Sequence, residues 1–347
     1  MPRHTLRPRR QLLAITTLFL GLIACSGPSE REVIEIDGLA MGTSWSVKIA
    51  APAEDLDSDA LAADVARRIE AIEQTMSTYR PDSALSRFND RQDTNWAAVP
   101  EELCGVVAAA LAIGRDSSGA FDVTVGPLVD LWGFGPEMRS PEPPPPALLE
   151  AARASSGYEN LEADCTRPAL RKSVPALRVD LSAIAKGYAV DAVAALLDRH
   201  DVAEYLVEIG GEVRARGRNA SDRPWAIGIE MPDRAARQVS RVIELDGASL
   251  ATSGDYRNFF EHEGRYYSHT IDPRTGAPVL HDLAAVSVVH ADAMEADAWA
   301  TALLVLGPAD GPSLAREYGL AAMFQRRTAS GVVEETTGGF EASLRQR

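Results

Sequence analysis

The sequence predicts an α+β fold in which antiparallel sheets are flanked by helices. Short runs of alternating polar and apolar residues, typical of strands, begin at Val33 and recur along the chain. Amphipathic helical runs are interspersed among them, but most strands are short and separated by turn residues rather than by one helix each. That order favours hairpin-connected strands over the strict strand–helix alternation of a parallel sheet.

The first 24 residues are predicted to be a signal peptide. Four arginines precede an apolar run of 13 residues, 12–24, which is shorter than the roughly 20 residues that span a bilayer as a helix. The run ends in Leu22-Ile-Ala-Cys25, similar to the lipobox of bacterial lipoproteins, whose Cys is acylated and becomes the mature N-terminus. A short uncleaved anchor is the alternative. We therefore expect export and a lipid anchor on Cys25, at the periplasmic side of the cell inner membrane.

We expect residues 25–31 to form a lipidated tether and residues 32–347 to form the globular domain. The whole chain has 35 basic and 50 acidic side chains, and four of the basic ones lie within the first 24 residues. The remainder is strongly acidic, which argues against nucleic acid as a partner because DNA binding needs clustered positive charge. An anionic ligand must therefore be held by a local feature, such as a metal, a helix terminus or a single Lys.

The predicted elements follow in chain order. A strand pair covers 33–35 and 41–49, a hairpin or bend with Gly210 and Gly211 covers 205–217, and further strands cover 225–230, 241–245 and 286–289. Helices are predicted over 58–76, 101–115, 147–157 and 292–307. The segment 179–191 reads as the end of a strand running into a helix. The stretches 251–257 and 268–276 read as loops.

Apart from Cys25, the chain has two cysteines, Cys104 and Cys165. They can pair in an oxidising compartment, but spacing does not fix their distance. Cys104 lies in an apolar helical run, which also suits a small core residue.

Lys186 is the most unusual residue of the segment 179–191. It stands in the opening turns of the predicted helix, where the macrodipole favours Asp or Glu. An ammonium beside free helix N–H groups makes a phosphate site, whereas a solvated Lys on an exposed face is the alternative.

Asp297 and Thr301 are four residues apart and so share one helix face. A carboxylate and a hydroxyl are hard oxygen ligands that suit Mg²⁺. The alternative is an acidic residue near a helix N-terminus with a Thr that bonds back to a carbonyl.

His269 and Thr270 precede a polar turn, Ile271-Asp-Pro-Arg-Thr-Gly276, in which Pro and Gly fix the backbone. A His in such a rigid loop could serve as a general base near neutral pH. A structural His bonded to its own loop is equally common. Ser253, Asp255 and His269 also suggest a hydrolase triad, but the chain has no G-x-S-x-G elbow.

Two aromatics bracketed by glycines, with one Asp, follow the second helix within 119–135. Their loop setting suggests a wall that binds a ring rather than a plain core strand.

Eight segments in order resemble the ApbE family of FAD:protein FMN transferases and span nearly all of the domain. They are Met41–Thr43, Met76–Tyr79, Ala120–Leu128 with Leu131–Gly135, Val179–Asp191, Ile209–Glu212, Thr252–Tyr256, Ser268–Gly276 and Glu295–Thr301.

The resemblance implies a T-fold-like, ApbE-like domain that transfers FMN from FAD to a Thr or Ser of an acceptor redox subunit, with Mg²⁺ and release of AMP. His269 would activate the acceptor hydroxyl, and the Ala183 carbonyl with Asp297 and Thr301 would hold Mg²⁺. Some members have an Asp where this chain has Ala300, so this departure puts a further carboxyl contribution to the metal in doubt. The residues implied to line the FAD site are Met41, Tyr79, Ala120, Phe121, Asp122, Asp180, Lys186 and Ile271.

Two other functions share this site: a Mg²⁺-dependent FAD pyrophosphatase that gives FMN and AMP, and a non-catalytic flavin-binding lipoprotein.

Overall fold

The computed structural model describes residues 31–135, 142–233 and 238–345, and Arg31–Arg347 form one compact unit. The predicted signal peptide, Cys25 and most of the predicted tether lie outside the described residues. Within them, no helix is long and apolar enough to cross a membrane.

The strands are β1 Val33–Ala40, β2 Thr43–Ala50, β3 Ala97–Ala98, β4 Leu161–Asp164, β5 Ala169–Lys172, β6 Tyr205–Ile209, β7 Glu212–Arg216, β8 Trp225–Glu230, β9 Val239–Leu245, β10 Ala248–Gly254, β11 Phe259–His262, β12 Arg265–Ser268, β13 Ile271–Asp272, β14 Ala277–Pro278, β15 Leu283–His290, β16 Ala321–Thr328 and β17 Gly331–Thr337. The helices are α1 Ser58–Met76, α2 Ala84–Asn89, α3 Glu101–Asp116, α4 Gly126–Leu131, α5 Pro146–Ala154, α6 Ala185–Arg199 and α7 Ala293–Glu317.

The described part of the chain is built on an eight-stranded sheet with the order β1-β2-β6-β7-β10-β15-β16-β17. Every neighbouring pair in it is antiparallel, as the hairpin-rich sequence predicts. Side chains alternate across each strand, so the sheet has two buried faces. Leu250 belongs to the core on one face and Ala251 to the core on the other.

Helices cover one face of this sheet and a hairpin covers the other. The larger core joins the sheet to α1, α3, α6 and α7. The smaller core joins it to the hairpin β8–β9, with Trp225 and Ile243 buried between the two layers. The predicted α+β class, with antiparallel sheets flanked by helices, is confirmed.

The helix periodicities locate the helices well, because each buries one apolar stripe. Helix α1 buries Leu61, Val65, Ile69, Ile72 and Met76 at helical spacing. Helix α7 extends beyond the predicted 292–307, through a kink at Gly307, which has a φ of 81°. In the hairpin β6–β7, Gly210 and Gly211 form the turn, with φ values of 64° and 104°, in agreement with the predicted hairpin or bend.

Three local predictions are wrong, and the first is the loop expected over 268–276, which contains the short strand β13. Residues 179–184 do not form a strand, and α6 begins at Ala185, because a side chain rather than a neighbouring strand satisfies the Val179 peptide group. Residues 251–254 form part of β10 instead of a loop, because their backbone pairs with residues 285–288 of β15.

Cys104 and Cys165 form a disulfide, with their Cα atoms 5.7 Å apart and a sequence separation of 61. Cys104 is also fully buried in the larger core, so it has both of the roles considered for it. The bond ties α3 to the β4–β5 hairpin.

Candidate active site

A cavity of about 860 Å³ opens beside the central strands of the sheet, within the size range of small-molecule sites. Loops, strands such as β2 and β8, and helix α7, which are far apart in sequence, form its wall. Most of the predicted site residues lie on this wall: Tyr79, Ala120, Phe121, Asp122, Asp180, Ala183, Lys186, His269, Ile271, Asp297 and Thr301.

Met41 is not among the described residues that line the cavity. It lies in the tight turn between β1 and β2 with a φ of 53°, and its backbone N–H donates to Glu73 Oε1 at 2.9 Å. Tyr79 lines the cavity at its rim, where its side chain is 65% exposed to solvent.

Asp297 and Thr301 lie one turn apart on α7, as predicted. The Asp297 carboxylate is only 3% exposed, and its Oδ2 accepts a hydrogen bond from the Gly187 N–H at 3.1 Å. The Thr301 hydroxyl lies 2.8 Å from the Ser253 hydroxyl on β10. Thr301 therefore has a side-chain partner across the cavity floor.

Lys186 is not a solvated surface residue. Its Nζ lies 2.7 Å from Glu212 Oε1 and 3.9 Å from Asp297 Oδ2. Helix α6 has no acidic residue in its own first turn, so the Asp297 carboxylate from α7 supplies the anion that both the ammonium and the helix N-terminus favour.

The electrostatics of this corner follow from burial. Burial alone would lower the pKa of Lys186, but the carboxylates of Asp297 and Glu212 outweigh it and raise that pKa. Burial raises the pKa of Glu212 to about 7, although the Lys186 ammonium opposes the shift. Burial likewise raises the pKa of Asp297 against the attraction of Lys186. Two buried carboxylates therefore share one ammonium, an arrangement that favours a further cation.

The donor atoms at this corner fit a hard divalent cation. Among the described residues, no group of three or more His, Cys, Asp and Glu side chains could hold a metal. The buried Asp297 carboxylate and the Thr301 hydroxyl are hard oxygen donors one turn apart, a set that suits Mg²⁺, which keeps several of its waters. Glu212 Oε2 is buried without a hydrogen-bond partner in the described residues. This corner therefore has more carboxylate oxygens than positively charged or hydrogen-bonding partners for them.

A buried clamp holds the segment that carries Asp180 and Ala183. Asn89, at the end of α2, bonds both sides of the Val179 residue: its Nδ2 donates to the Val179 carbonyl at 2.8 Å, and its Oδ1 accepts from the Val179 N–H at 2.7 Å. Lys172 Nζ donates to the Asn89 and Leu177 carbonyls, both at 2.9 Å. Burial lowers the pKa of Lys172 to about 8.

The clamp fixes the backbone just before the cavity wall. Asp180 N–H donates to the Val123 carbonyl at 2.7 Å, and Asp180 Oδ1 accepts from the Ser182 N–H at 2.8 Å. The two predicted flavin-binding stretches, around Asp122 and Asp180, are thereby joined to each other. Sequence reasoning did not select Asn89 or Lys172, and neither belongs to the eight segments.

Asp122 and Phe121 have structural contacts in addition to their place on the wall. Asp122 Oδ1 accepts from the Thr124 N–H and hydroxyl, both at 2.7 Å, and its Oδ2 accepts from the Tyr158 N–H at 2.9 Å. Burial nonetheless raises the pKa of Asp122. Phe121 is almost completely buried in the core. This part of the wall is thus held by buried hydrogen bonds and core packing.

The two aromatics of the segment 131–135 differ in position. Trp132 is buried, stacks against Phe260 and Tyr267, and donates from Nε1 to the Gly276 carbonyl at 2.8 Å. Phe134 lines the cavity. The predicted ring-binding wall is therefore compatible with Phe134, whereas Trp132 packs in a satellite core.

His269 follows β12 and lines the cavity at a distance in sequence from the other site residues. Its Nδ1 and its backbone N–H both lie 3.0 Å from the Asn258 carbonyl oxygen. Burial lowers the pKa of His269, with Lys186 lowering it further and the Asn258 contact and Asp255 opposing the shift. The imidazole is therefore neutral at pH 7.

The partners of Ser253 and Asp255 exclude the hydrolase triad. Ser253 bonds Thr301, and both oxygens of the Asp255 carboxylate accept from Arg327 at 2.7 Å. The Nδ1 position that a triad Asp would occupy is taken by the Asn258 carbonyl.

Glu212 is a wall residue that sequence reasoning did not select as part of the site. It is 4% exposed, and it directly follows the turn glycines. The sequence signal that could have identified it is its position in Ile209–Glu212, one of the eight segments that resemble the family.

The fold is that of solved flavin transferases. Flavin Transferase ApbE from Vibrio cholerae superposes with a TM-score of 0.85 and 40% identity, covering 90% of this chain and 100% of that one. The apo form of the flavinyl transferase ApbE of Pseudomonas stutzeri gives a TM-score of 0.83 and 41% identity, with 90% and 97% covered.

The sequence comparisons agree. The sequence model of the ApbE family matches residues 41–324. The FAD:protein FMN transferase of Escherichia coli (strain K12) is 39% identical over 319 residues, 90% of each chain. That of Vibrio cholerae serotype O1 is 40% identical over 336 residues, 97% of this chain and 99% of the relative. The chain belongs to the ApbE family, which confirms the resemblance of the eight segments.

Proposed function

We propose that this chain is an FAD:protein FMN transferase, which moves FMN from FAD onto a Thr or Ser hydroxyl of an acceptor protein. The observation that carries the proposal is a juxtaposition within one cavity. Lys186, Asp297 and Thr301 form a polar corner suited to a pyrophosphate, and His269, a neutral imidazole, lies on the same wall. The relatives named FAD:protein FMN transferase support it.

The reaction breaks one phosphorus–oxygen bond of the FAD pyrophosphate and forms another. The acceptor hydroxyl oxygen attacks the phosphorus of the FMN half, and its proton passes to His269. AMP leaves with the bridging oxygen. Transfer at phosphorus depends mainly on positioning and charge neutralisation.

We propose that Asp297, Thr301 and the Ala183 carbonyl hold Mg²⁺ at this corner. When bound, the ion would supply charge neutralisation at the phosphates. Lys186 adds a fixed positive charge from the start of α6, and the Asn89–Lys172 clamp keeps the Asp180–Ala183 segment in place. Tyr79, Ala120, Phe121, Asp122, Asp180 and Ile271 would contact FAD, with Met41 supporting the site from the neighbouring turn.

We further propose that the chain is a lipoprotein anchored through Cys25 to the periplasmic side of the inner membrane, where its acceptors would be redox subunits. The basic and apolar residues before Cys25 support this. Replacement of Cys25 by Ser should move the protein from the membrane pellet to the soluble fraction; a protein that stays in the pellet would argue for an uncleaved anchor.

One assay tests the activity. The purified protein, with FAD, Mg²⁺ and an acceptor domain, should give an acceptor band that fluoresces in a denaturing gel. Release of FMN and AMP without a labelled acceptor would instead show a pyrophosphatase. Bound flavin with FAD left intact would show a non-catalytic binding protein.

A further inference from the structure

Glu212 is placed at the cavity corner by the local backbone. It is the first residue of β7 and directly follows Gly210 and Gly211, whose positive φ values reverse the chain. A Cβ at Gly210 would lie 3.1 Å from Lys186 Cδ and 2.9 Å from Thr43 Cγ2. The glycine turn therefore leaves room for the Lys186 side chain and brings the Glu212 carboxylate to its ammonium.

The contacts of Glu212 differ from those of a purely structural ion pair. Buried carboxylates normally have partners for both oxygens. Here Oε1 contacts Lys186 Nζ at 2.7 Å, while Oε2 is buried with no hydrogen-bond partner in the described residues. The same ammonium lies 3.9 Å from Asp297, so the corner formed by Lys186, Glu212 and Asp297 carries two carboxylates and one cation.

From this geometry we infer that Glu212 is a positioning residue, which fixes the Lys186 ammonium beside Asp297 and supplies the second carboxylate charge that attracts a divalent cation. The inference rests on the proposed function, and it identifies the Glu212 carboxylate as a charge on which the affinity of the site for its divalent cation depends. Glu212 acts through Lys186 and Asp297 and need not touch FAD itself.

The test measures cation binding directly, without turnover. Mn²⁺ is added to the purified protein in the absence of FAD, and free Mn²⁺ is measured by electron paramagnetic resonance. Glu212→Gln keeps the size of the side chain and an acceptor for Lys186 but removes the charge. We expect it to weaken Mn²⁺ binding about tenfold or more, in the range of residues that support metal ligands.

A second variant gives a change of opposite sign. Lys186→Met removes the cation that competes with the metal, so it should tighten Mn²⁺ binding while weakening FAD binding, measured by flavin fluorescence. A general loss of structure would weaken both. Lys186→Met therefore keeps the inference testable if Glu212→Gln fails to fold.

Glu162→Gln is the matched control. Glu162 and Arg171 pair at 2.6 Å with both side chains exposed on the β4–β5 hairpin, so this change removes the same charge from an ion pair outside the cavity and should leave Mn²⁺ affinity unchanged. Equal Mn²⁺ affinity in wild type, Glu212→Gln and Glu162→Gln overturns the inference while the proposed function stands. A wild-type protein that binds neither Mn²⁺ nor FAD overturns both.

Discussion

The Nδ1 atom of His269 lies 3.0 Å from the backbone carbonyl oxygen of Asn258. Because a carbonyl oxygen only accepts hydrogen bonds, Nδ1 must carry the proton, and Nε2 of the neutral ring has a free lone pair. The ring edge also packs against Phe134, with 6.3 Å between ring centroids. One backbone contact thus fixes both the tautomer and the orientation of the candidate base.

Replacement of His269 by Gln should slow acceptor labelling by about 10²- to 10⁴-fold, the usual contribution of a general base. FAD binding, followed by flavin fluorescence, should change little. His262→Gln is the control, because His262 ends β11 in the same hairpin region and does not line the cavity. Full labelling by the His269 variant would remove this residue from the mechanism.

The labelling rate at saturating FAD and Mg²⁺ should fall on the acid side. The active form of His269 is neutral, and burial lowers its pKa below 6.5, with Lys186 acting in the same direction. The rate is therefore expected to stay high as the pH falls through 7 and to drop only below that lowered pKa. A rate that rises on acidification would contradict a neutral imidazole base.

Removal of the Asp297 carboxylate should abolish both the stabilisation by Mg²⁺ and the transfer of FMN to the acceptor. Added Mg²⁺ should raise the melting temperature of the wild type, since a ligand at 100 times its Kd stabilises the folded state by about 2.7 kcal/mol. Asp297→Asn should abolish both this shift and acceptor labelling. Asp310→Asn, an exposed change on the same helix, should preserve both. A normal Mg²⁺ response in Asp297→Asn would place the cation elsewhere.

The Asn89 clamp should contribute measurably to stability. Asn89→Ala removes two buried hydrogen bonds and leaves the N–H and carbonyl of Val179 without those partners, at a cost of about 2–4 kcal/mol in the free energy of unfolding. Urea denaturation measures this loss. Asn95→Ala, at an exposed loop position, should cost far less. Equal stability of the two variants would show that water replaces the clamp.

The disulfide should matter for folding stability rather than for chemistry. It closes a loop with a sequence separation of 61, for which chain entropy predicts up to about 4 kcal/mol. Reductant should therefore lower the urea midpoint of the wild type. It should have no further effect on a variant with both Cys104 and Cys165 changed to Ala. An unchanged midpoint in reduced wild type would indicate that the buried Cys104 contributes through packing alone.

The sequence alone determined the features that depend on local periodicity and short spacing. The stripe from Leu61 to Met76 predicts α1, and the four-residue spacing of Asp297 and Thr301 places both on one helix face. Turn chemistry likewise predicts the reversal at Gly210 and Gly211. The order of eight segments was sufficient for the family resemblance, because each segment is continuous in sequence.

Tertiary structure decided the contacts between residues far apart in sequence. Lys186 lies near the start of α6, Glu212 begins β7, and Asp297 lies near the start of α7. Only the sheet order brings these three side chains together. Pairing with β15 makes residues 251–254 part of strand β10. At Val179, hydrogen bonds to the Asn89 side chain take the place of pairing with a neighbouring strand. Local pattern carries no information about such distances, so the charge balance of the site becomes visible only when the chain is folded.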